Sequence, residues 1–474
     1  MTSPSTLTTR FPRPERNAVL LGLRPVQVAL TLAAVIIATL AFVNQLPMAP
    51  MIGALSVATG CLAVAFLRAE EVPLCRWLVL RLMHLVRRRS HRADVVEPRQ
   101  HGRLQLPGGG GVLRMLTTSA GIGVVHDPRR RRLIAVAKIE GPAHLLQNTD
   151  EQDRRVTAYG QLIAGLCQSN RIARAQVLER TLPDPGDELG AWAQQRDVDP
   201  ATAAGAIYTD LLRQAAPAAA RHETLFSLAI DLDAVGREVR KHGGGILGAT
   251  AVLESEARAF QTSLAAAGVA GCWLNAQELA MSLRVAFDPA ATRTIPSPQA
   301  LDASEAGPLA VDEDWDQLRT DSSFHRVYVV TEWPRVRASP SFLSPLLLKP
   351  GIRRTFSLVL QPIPMSKALR DARRHQVERV TDRATRAKIG QLETEEDRQL
   401  DADVAQRERD LAAGHGDVRW LGLIVVSGDT QEALDDACME IEIAATQALL
   451  DVRRLVGQQL EGFMAAALPF GIGL

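Results

Sequence analysis

The stretch PVQVALTLAAVIIATLAFVNQLPMAPMIGALSVATGCLAVAFL, Pro25 to Leu67, contains no charged side chain. Asn44, Gln45, Leu46 and Pro47 divide it into two apolar runs. At about 1.5 Å per helical residue, each run covers most of a hydrocarbon layer about 30 Å thick. The pattern predicts a transmembrane helical hairpin over 25–67. A buried hairpin in a soluble core is the alternative. A cleaved leader fits less well, because a second apolar run follows the first at once.

Arg10, Arg13, Arg16 and Arg24 precede the first run, and Arg68 and Arg76 follow the second. The loop between them is uncharged, so the positive-inside rule places both ends in the cytoplasm. The expected location is the plasma (inner) membrane, multi-pass, with both termini and the bulk of the chain cytoplasmic. Charge is distributed accordingly. Residues 1–133 hold 18 arginines against 6 carboxylates, whereas the rest holds 36 basic against 47 acidic residues. Only five of the 54 basic residues are lysine, so arginine abundance reflects the composition of the whole chain and carries little functional weight. Five scattered cysteines (61, 75, 167, 272 and 438) suit packed, reduced thiols better than a disulfide frame.

Past the hairpin, VPLCRWLVLRLMHLVRRRSHR gathers Arg76, Arg81, His84, Arg87 and Arg88 on one helical arc and Leu74, Leu78, Leu82, Leu85 and Val86 on the other. Arg76, Arg81, Arg87, Arg88 and Arg89 are therefore candidate membrane-surface residues. Each would be worth about 1 kcal/mol beside anionic lipid. A tail packed on the soluble part is the competing reading. Gly108 to Gly111 then read as a flexible linker, since no Gly-Lys-Ser/Thr follows to make a phosphate loop. In KHGGGILGAT (241–250) the lysine stands ahead of the glycines and fails the same test.

Beyond the linker, alternating and amphipathic patterns interleave, predicting an α+β body. GIGVVHDPRRRRLIAVAKIEG (121–141) reads as a hairpin turning at Asp127-Pro128. Helices are expected near 150–169, 202–214 and 247–266 and at AQELAMSLRVAF (276–287), with strands near 172–182 and at TLFSLAIDL. Pro- and Ser-containing sequence between Asp288 and Gly307 suggests a second unit, with strands near 326–331, 355–362 and 420–427 and helices near 431–450 and 458–467. The expected organisation is a tail 1–24, hairpin 25–67, basic helix and linker 68–104, and two layered ferredoxin-like α+β units, 105–300 and 301–474. The second carries a charged helical arm over 365–414, in which Val377, Val380, Ala384 and Ala387 recur at heptad spacing.

Catalytic signatures do not stand out. There is no CxxC, HExxH or GxSxG, and the pairs Asp231/Asp233 and Asp401/Asp403 have nothing convergent beside them. A non-catalytic chain without metal or cofactor is the expectation. The acidic soluble part and its scarcity of tyrosine argue against a nucleic-acid surface.

GIGVVHDPRRRRLIAVAKIEG, AQELAMSLRVAFDP, DEDWDQLRTDSSFHRVYVVTEWPR and RRTFSLVLQPIPMSKALRDARR, in that order, resemble an actinobacterial inner-membrane protein of conjugation (type IV) secretion systems. That family joins a PrgI-like membrane hairpin to the N-terminal, non-ATPase half of a TraC/TrbE/CagE-type transfer ATPase. Trp315, His325, Trp333 and Pro334 match it, as do the stretches 353–357 and 362–370. In fused relatives a segment like LVGQQLEGFMAAALPFG precedes the nucleotide-binding domain. The resemblance therefore implies a membrane platform for a separately encoded transfer ATPase, oligomeric and in contact with other secretion-channel membrane subunits. Phe463, Leu468, Pro469 and Phe470 are its candidate partner contacts, with Leu468 to Phe470 also closing a helix onto the core. Two rivals remain open: a type VII secretion membrane subunit, which can also pair two N-terminal spans with a cytosolic domain, and a membrane-tethered enzyme.

Overall fold

The computed structural model describes residues 11, 25–45, 47–86, 90–92, 101–108, 110–141, 147–183, 201–215, 220–295, 301–374, 377, 381 and 395–473. The two apolar runs form α1 (Pro25–Val43) and α2 (Met48–Phe66), with mean hydropathies of 2.5 and 1.8. At 19 residues, each is about 28 Å long. Their buried positions are alanines seven apart, Ala34 and Ala41 on α1 and Ala58 and Ala65 on α2. Such small-residue stripes let helix backbones approach where lipid offers no hydrophobic contrast. Gln27 Nε2 donates to the Ala65 carbonyl at 3.0 Å, and the Thr31, Thr39, Ser56 and Thr59 hydroxyls donate to carbonyls four residues back. Polar atoms are thus satisfied internally, as hydrocarbon requires. Ile36, Leu40, Ile52 and Leu55 point outward.

A two-residue hairpin follows, β1 (Arg68–Ala69) and β2 (Val72–Pro73), turned by Glu70 and Glu71 at φ +50° and +63°. Then come α3 (Leu74–Val86) and the α+β body. The body contains one sheet of 14 strands. Its strands are β3 (Ser90–Arg92), β4 (Arg103–Leu106), β5 (Gly111–Thr117), β6 (Gly123–Asp127), β7 (Arg132–Glu140), β8 (Ile172–Pro183), β9 (Ala220–Asp231), β10 (Ala270–Trp273), β11 (Ala310–Glu313), β12 (Leu318–Thr320), β13 (Ser323–Glu332), β14 (Arg353–Ile363), β15 (Asp417–Gly428) and β16 (Asp451–Arg454). The helices are α4 (Thr149–Gln168), α5 (Ala203–Ala215), α6 (Gly236–Lys241), α7 (Gly245–Ala266), α8 (Ala276–Phe287), α9 (Ala291–Thr294), α10 (Ser344–Leu347), α11 (Glu395–Ala412), α12 (Gln431–Gln447) and α13 (Gln459–Ala467). The fold is α+β, with a helical hairpin ahead of an antiparallel sheet.

The path through the sheet runs β3-β11-β12-β13-β15-β14-β8-β9-β7-β6-β5-β4, with β10 beside β7 and β16 beside β13. The strands of the two expected units, 105–300 and 301–474, belong to one continuous sheet. They meet in the middle of the sheet, where β14 pairs antiparallel with β8 from Thr355↔Arg180 to Leu360↔Ala175. Arg284, on α8, reinforces the join across the Asp288–Gly307 sequence. It donates to the Gly307 carbonyl at 2.8 Å and pairs with Asp288 at 3.1 Å and Asp321 at 2.6 Å.

One core serves both halves. It takes Leu104 and Leu106 from β4, Val311 and Leu318 from β11 and β12, Leu279 and Leu283 from α8, and Leu460 to Phe470 from α13 and the turn after it. Strands near opposite ends of the sheet thus pack on the same helices, so the sheet wraps around them. From Gln459 to Ala467 only Glu461 escapes full burial. Polar clamps fix α13 inside. The Leu460 N–H donates to Glu313, the Val327 N–H donates to Gln459 Oε1, and Gln176 on β8 donates to the Ala465 carbonyl while accepting from the Gly471 N–H.

Of the expected linker at Gly108–Gly111, Gly108 and Gly110 stand between β4 and β5 and Gly111 opens β5, while Gly109 lies outside the described residues. A Cβ at Gly110 would meet Leu106 at 2.5 Å and Met464 Sδ at 3.1 Å, so the turn lies against α13 and has no room for a side chain. The arm forms helix over 365–374 and again as α11. Ile363, Ala368, Ala372 and Leu411 pack together at its base, and Val377 is exposed. Val380, Ala384 and Ala387 lie outside the described residues. All five cysteines are free, Cys167 and Cys438 being buried.

His325 stands in this core, its ring 4.7 Å from that of Phe463, between Thr320 Oγ1 at 2.6 Å and Ser427 Oγ at 2.8 Å. Burial, helped by the Arg353 charge, pushes its pKa down to about 3. Below the unfolded value of about 6.5, the unfolded chain takes up a proton that the folded chain refuses, so stability is lost as pH falls from 6.5 toward 3. Between pH 7 and pH 5 that loss is about 2 kcal/mol. Near-ultraviolet circular dichroism of the full chain in detergent should show a larger fall in melting temperature over this interval for wild type than for His325→Gln. Equal falls would contradict the assignment.

Candidate functional site

The segment that follows the apolar hairpin meets the body at Trp315, in the turn between β11 and β12. Its ring is held from behind by Gly457, whose N–H donates to the Trp315 carbonyl at 2.6 Å and where a Cβ would come within 2.6 Å of the indole. At φ +66°, Gly457 also occupies backbone space that favours glycine. On the other side the indole N–H donates to Glu70, 2.9 Å from Oε2. Trp77 of α3 donates to the same carboxylate at 3.3 Å and meets Trp315 edge-on at 5.8 Å. His84 lies at 5.4 Å, and the Arg81 guanidinium stacks at 4.8 Å. One indole thus receives a carboxylate, an aromatic edge, an imidazole and a cation, all from the first 20 residues after α2.

The helix α3 is amphipathic as expected, and its Trp77, Arg81 and His84 side is the one that meets Trp315. His84 and Leu80 are buried, while Leu78, Leu82, Leu85 and Val86 are exposed. Of the candidate membrane-surface residues, Arg81 is engaged by Trp315, and Arg76 is exposed in the first turn of α3. Arg87, Arg88 and Arg89 lie outside the described residues.

Beside Trp315 opens a cleft of about 470 Å³, whose walls include Glu71, Tyr328, Glu442, Arg453 and Arg454. Its charges are largely engaged with one another. Arg454 reaches Asp316 at 3.0 Å and Glu442 at 3.6 Å, and the Tyr328 hydroxyl donates to Glu442 at 2.8 Å. Burial raises the Tyr328 phenol above its ordinary range. Burial disfavours the neighbouring Arg326 charge, but its hydrogen bond to Asp435 more than offsets that and keeps the guanidinium firmly protonated. These groups brace β13, β16 and α12 against each other.

Phe463, Leu468, Pro469 and Phe470 do not form a docking surface. All four are buried, Phe463 and Leu468 completely, and Phe463 packs against Phe287 at 5.6 Å. The apolar character that suggested a partner is used by the chain's own core. The companion expectation, that Leu468 to Phe470 close a helix onto the core, agrees with the structure. Sequence reading missed Glu70, Trp77 and Gly457. A signal was present in the Glu70-Glu71 pair, two acids at a span end where cations prevail.

Residues 218–330, which run from the start of β9 into β13 and include Trp315, match a family model described as "Putative type VII ESX secretion system translocon, EccE". That segment resembles a secretion-system membrane subunit. The EccE-like stretch crosses the expected boundary at residue 300, in keeping with a sheet that does not break there. It favours the type VII rival over the conjugation resemblance. No curated protein matches the chain.

If Trp315 is the hinge pin, Trp315→Ala should free α3 while leaving the body folded. Trypsin should then cut within residues 87–92 at least several-fold faster than in wild type, with body fragments unchanged. An unaltered rate would show that α3 is held elsewhere.

Proposed function

We propose that the protein is a non-catalytic membrane subunit of a secretion apparatus of the type VII kind, inserted by the α1–α2 hairpin with its body and both termini in the cytoplasm. The EccE match over residues 218–330 carries this reading, because it covers the β9-to-β13 stretch that supplies Trp315 to the membrane junction. Two membrane-length helices agree with it. The reading is supported by Phe11, which precedes α1 yet stacks on Trp333 of the body at 5.1 Å, as a hairpin with Phe11 and the body on the same side requires. The partners implied are other membrane subunits of the same channel, held by a body whose position at the bilayer is fixed through Trp315 and α3. An ATPase of the channel could join through those subunits without contacting the buried α13.

Affinity purification of the full-length chain from detergent-solubilised membranes tests the assignment. Membrane subunits of a type VII translocon should co-purify, and deletion of the gene should stop export of that system's substrates. Recovery of a conjugation transfer ATPase instead, with loss of DNA transfer and normal protein export, would return the assignment to the conjugation family.

A further inference from the structure

Phe11 is separated from the body by the whole membrane hairpin in sequence, yet its ring sits among three aromatic rings of the body. It is stacked on Trp333 at 5.1 Å, edge-on to Phe342 at 5.3 Å, and perpendicular to Trp420 at 6.2 Å. These distances and angles are those that aromatic pairs favour. The three rings come from separate places, the segment after β13, the turn before α10, and β15. Trp333 and Phe342 rest on the core beneath α12, and Trp420 forms the partly open rim. Room for Trp333 is provided by Gly422, two residues beyond Trp420 on β15, where a Cβ would stand 2.9 Å from the indole and 2.8 Å from Val330. The pocket is therefore shaped by the body itself. In sequence, Phe11 is the sole aromatic residue before Phe42, and it lies in Arg10-Phe11-Pro12-Arg13.

We propose that Trp333, Phe342 and Trp420 form a receptor for one aromatic side chain carried in an arginine-rich segment, and that Phe11 fills it in cis, making the N-terminal tail a strap between the membrane and the body. At about 3.4 Å per residue, the chain between Phe11 and Pro25 reaches at most roughly 48 Å. An engaged strap thus limits how far the pocket can swing from the start of α1. Together with the Trp315 junction after α2, it ties the body to both ends of the hairpin. Tethering raises the local concentration of the ring to the millimolar range, so a modest pocket stays filled. The proposal is independent of which secretion apparatus the protein serves.

The test uses full-length protein in nanodiscs and a fluorescent peptide of residues 5–17. Phe11→Ala empties the pocket, so this variant should bind the peptide at least tenfold more tightly than wild type. A peptide with alanine in place of Phe11 should bind neither protein. Adding Trp420→Ala to Phe11→Ala should abolish peptide binding while preserving the melting temperature of the body, and trypsin should cleave after Arg16 several-fold faster in Phe11→Ala. Equal affinity of wild type and Phe11→Ala for the peptide, equal binding of the two peptides, or unchanged tail cleavage would each overturn the strap. A fall from dimer to monomer on Phe11→Ala would assign the ring to a second copy and overturn the cis arrangement.

Discussion

The burial of α13 in a core shared by both halves of the sheet is the constraint on which the rest of the structure depends. Leu460, Phe463, Met464 and Phe470 pack with residues of β4, α8, β11 and β13, and polar clamps from Gln176, Glu313 and Gln459 leave α13 one register. Hydrophobic burial supplies the free energy, at about 25 cal/mol per Å² of apolar surface. The clamps supply uniqueness, because a slipped helix would leave buried donors and acceptors unpaired at about 1–3 kcal/mol each. The β4–β5 turn can close on Met464 because glycine stands at 110, and β8 can pair with β14 because Gln176 binds Ser357 across them.

Much of this body was legible in sequence. The long strands and helices announce themselves by period, and the expected ranges at 172–182, 276–287, 355–362 and 431–450 lie on β8, α8, β14 and α12. What sequence could not reveal is tertiary in origin. Strands as short as β3, β11 and β12 carry no usable alternation, and only their neighbours in the sheet define them. Gly108–Gly111 looks like any flexible run until Leu460 and Met464 are known to lie against it. Composition likewise does not distinguish an apolar segment buried by a partner from one buried by its own core. Phe463 and Leu468 are of the second sort.

At the membrane end the same logic operates on a smaller scale. The amphipathic pattern of α3 was visible, but its orientation is set by Trp315, far away in sequence, whose indole draws in Trp77, Arg81 and His84 and leaves the leucine arc outward. Function was the least legible level. The residues that resemble a conjugation protein and those that match the EccE model partly coincide, at α8 and from β11 to β13.

The direct test of the structural account is removal of residues 459–474 from the membrane-inserted chain, followed by trypsin digestion of purified membranes. If this segment is the shared core, the body should lose its protease-resistant fragments altogether while the α1–α2 hairpin stays in the bilayer. A truncated body that keeps its resistant fragments and melting temperature, and fails only to assemble with other secretion subunits, would contradict the account and show the segment to be a partner surface.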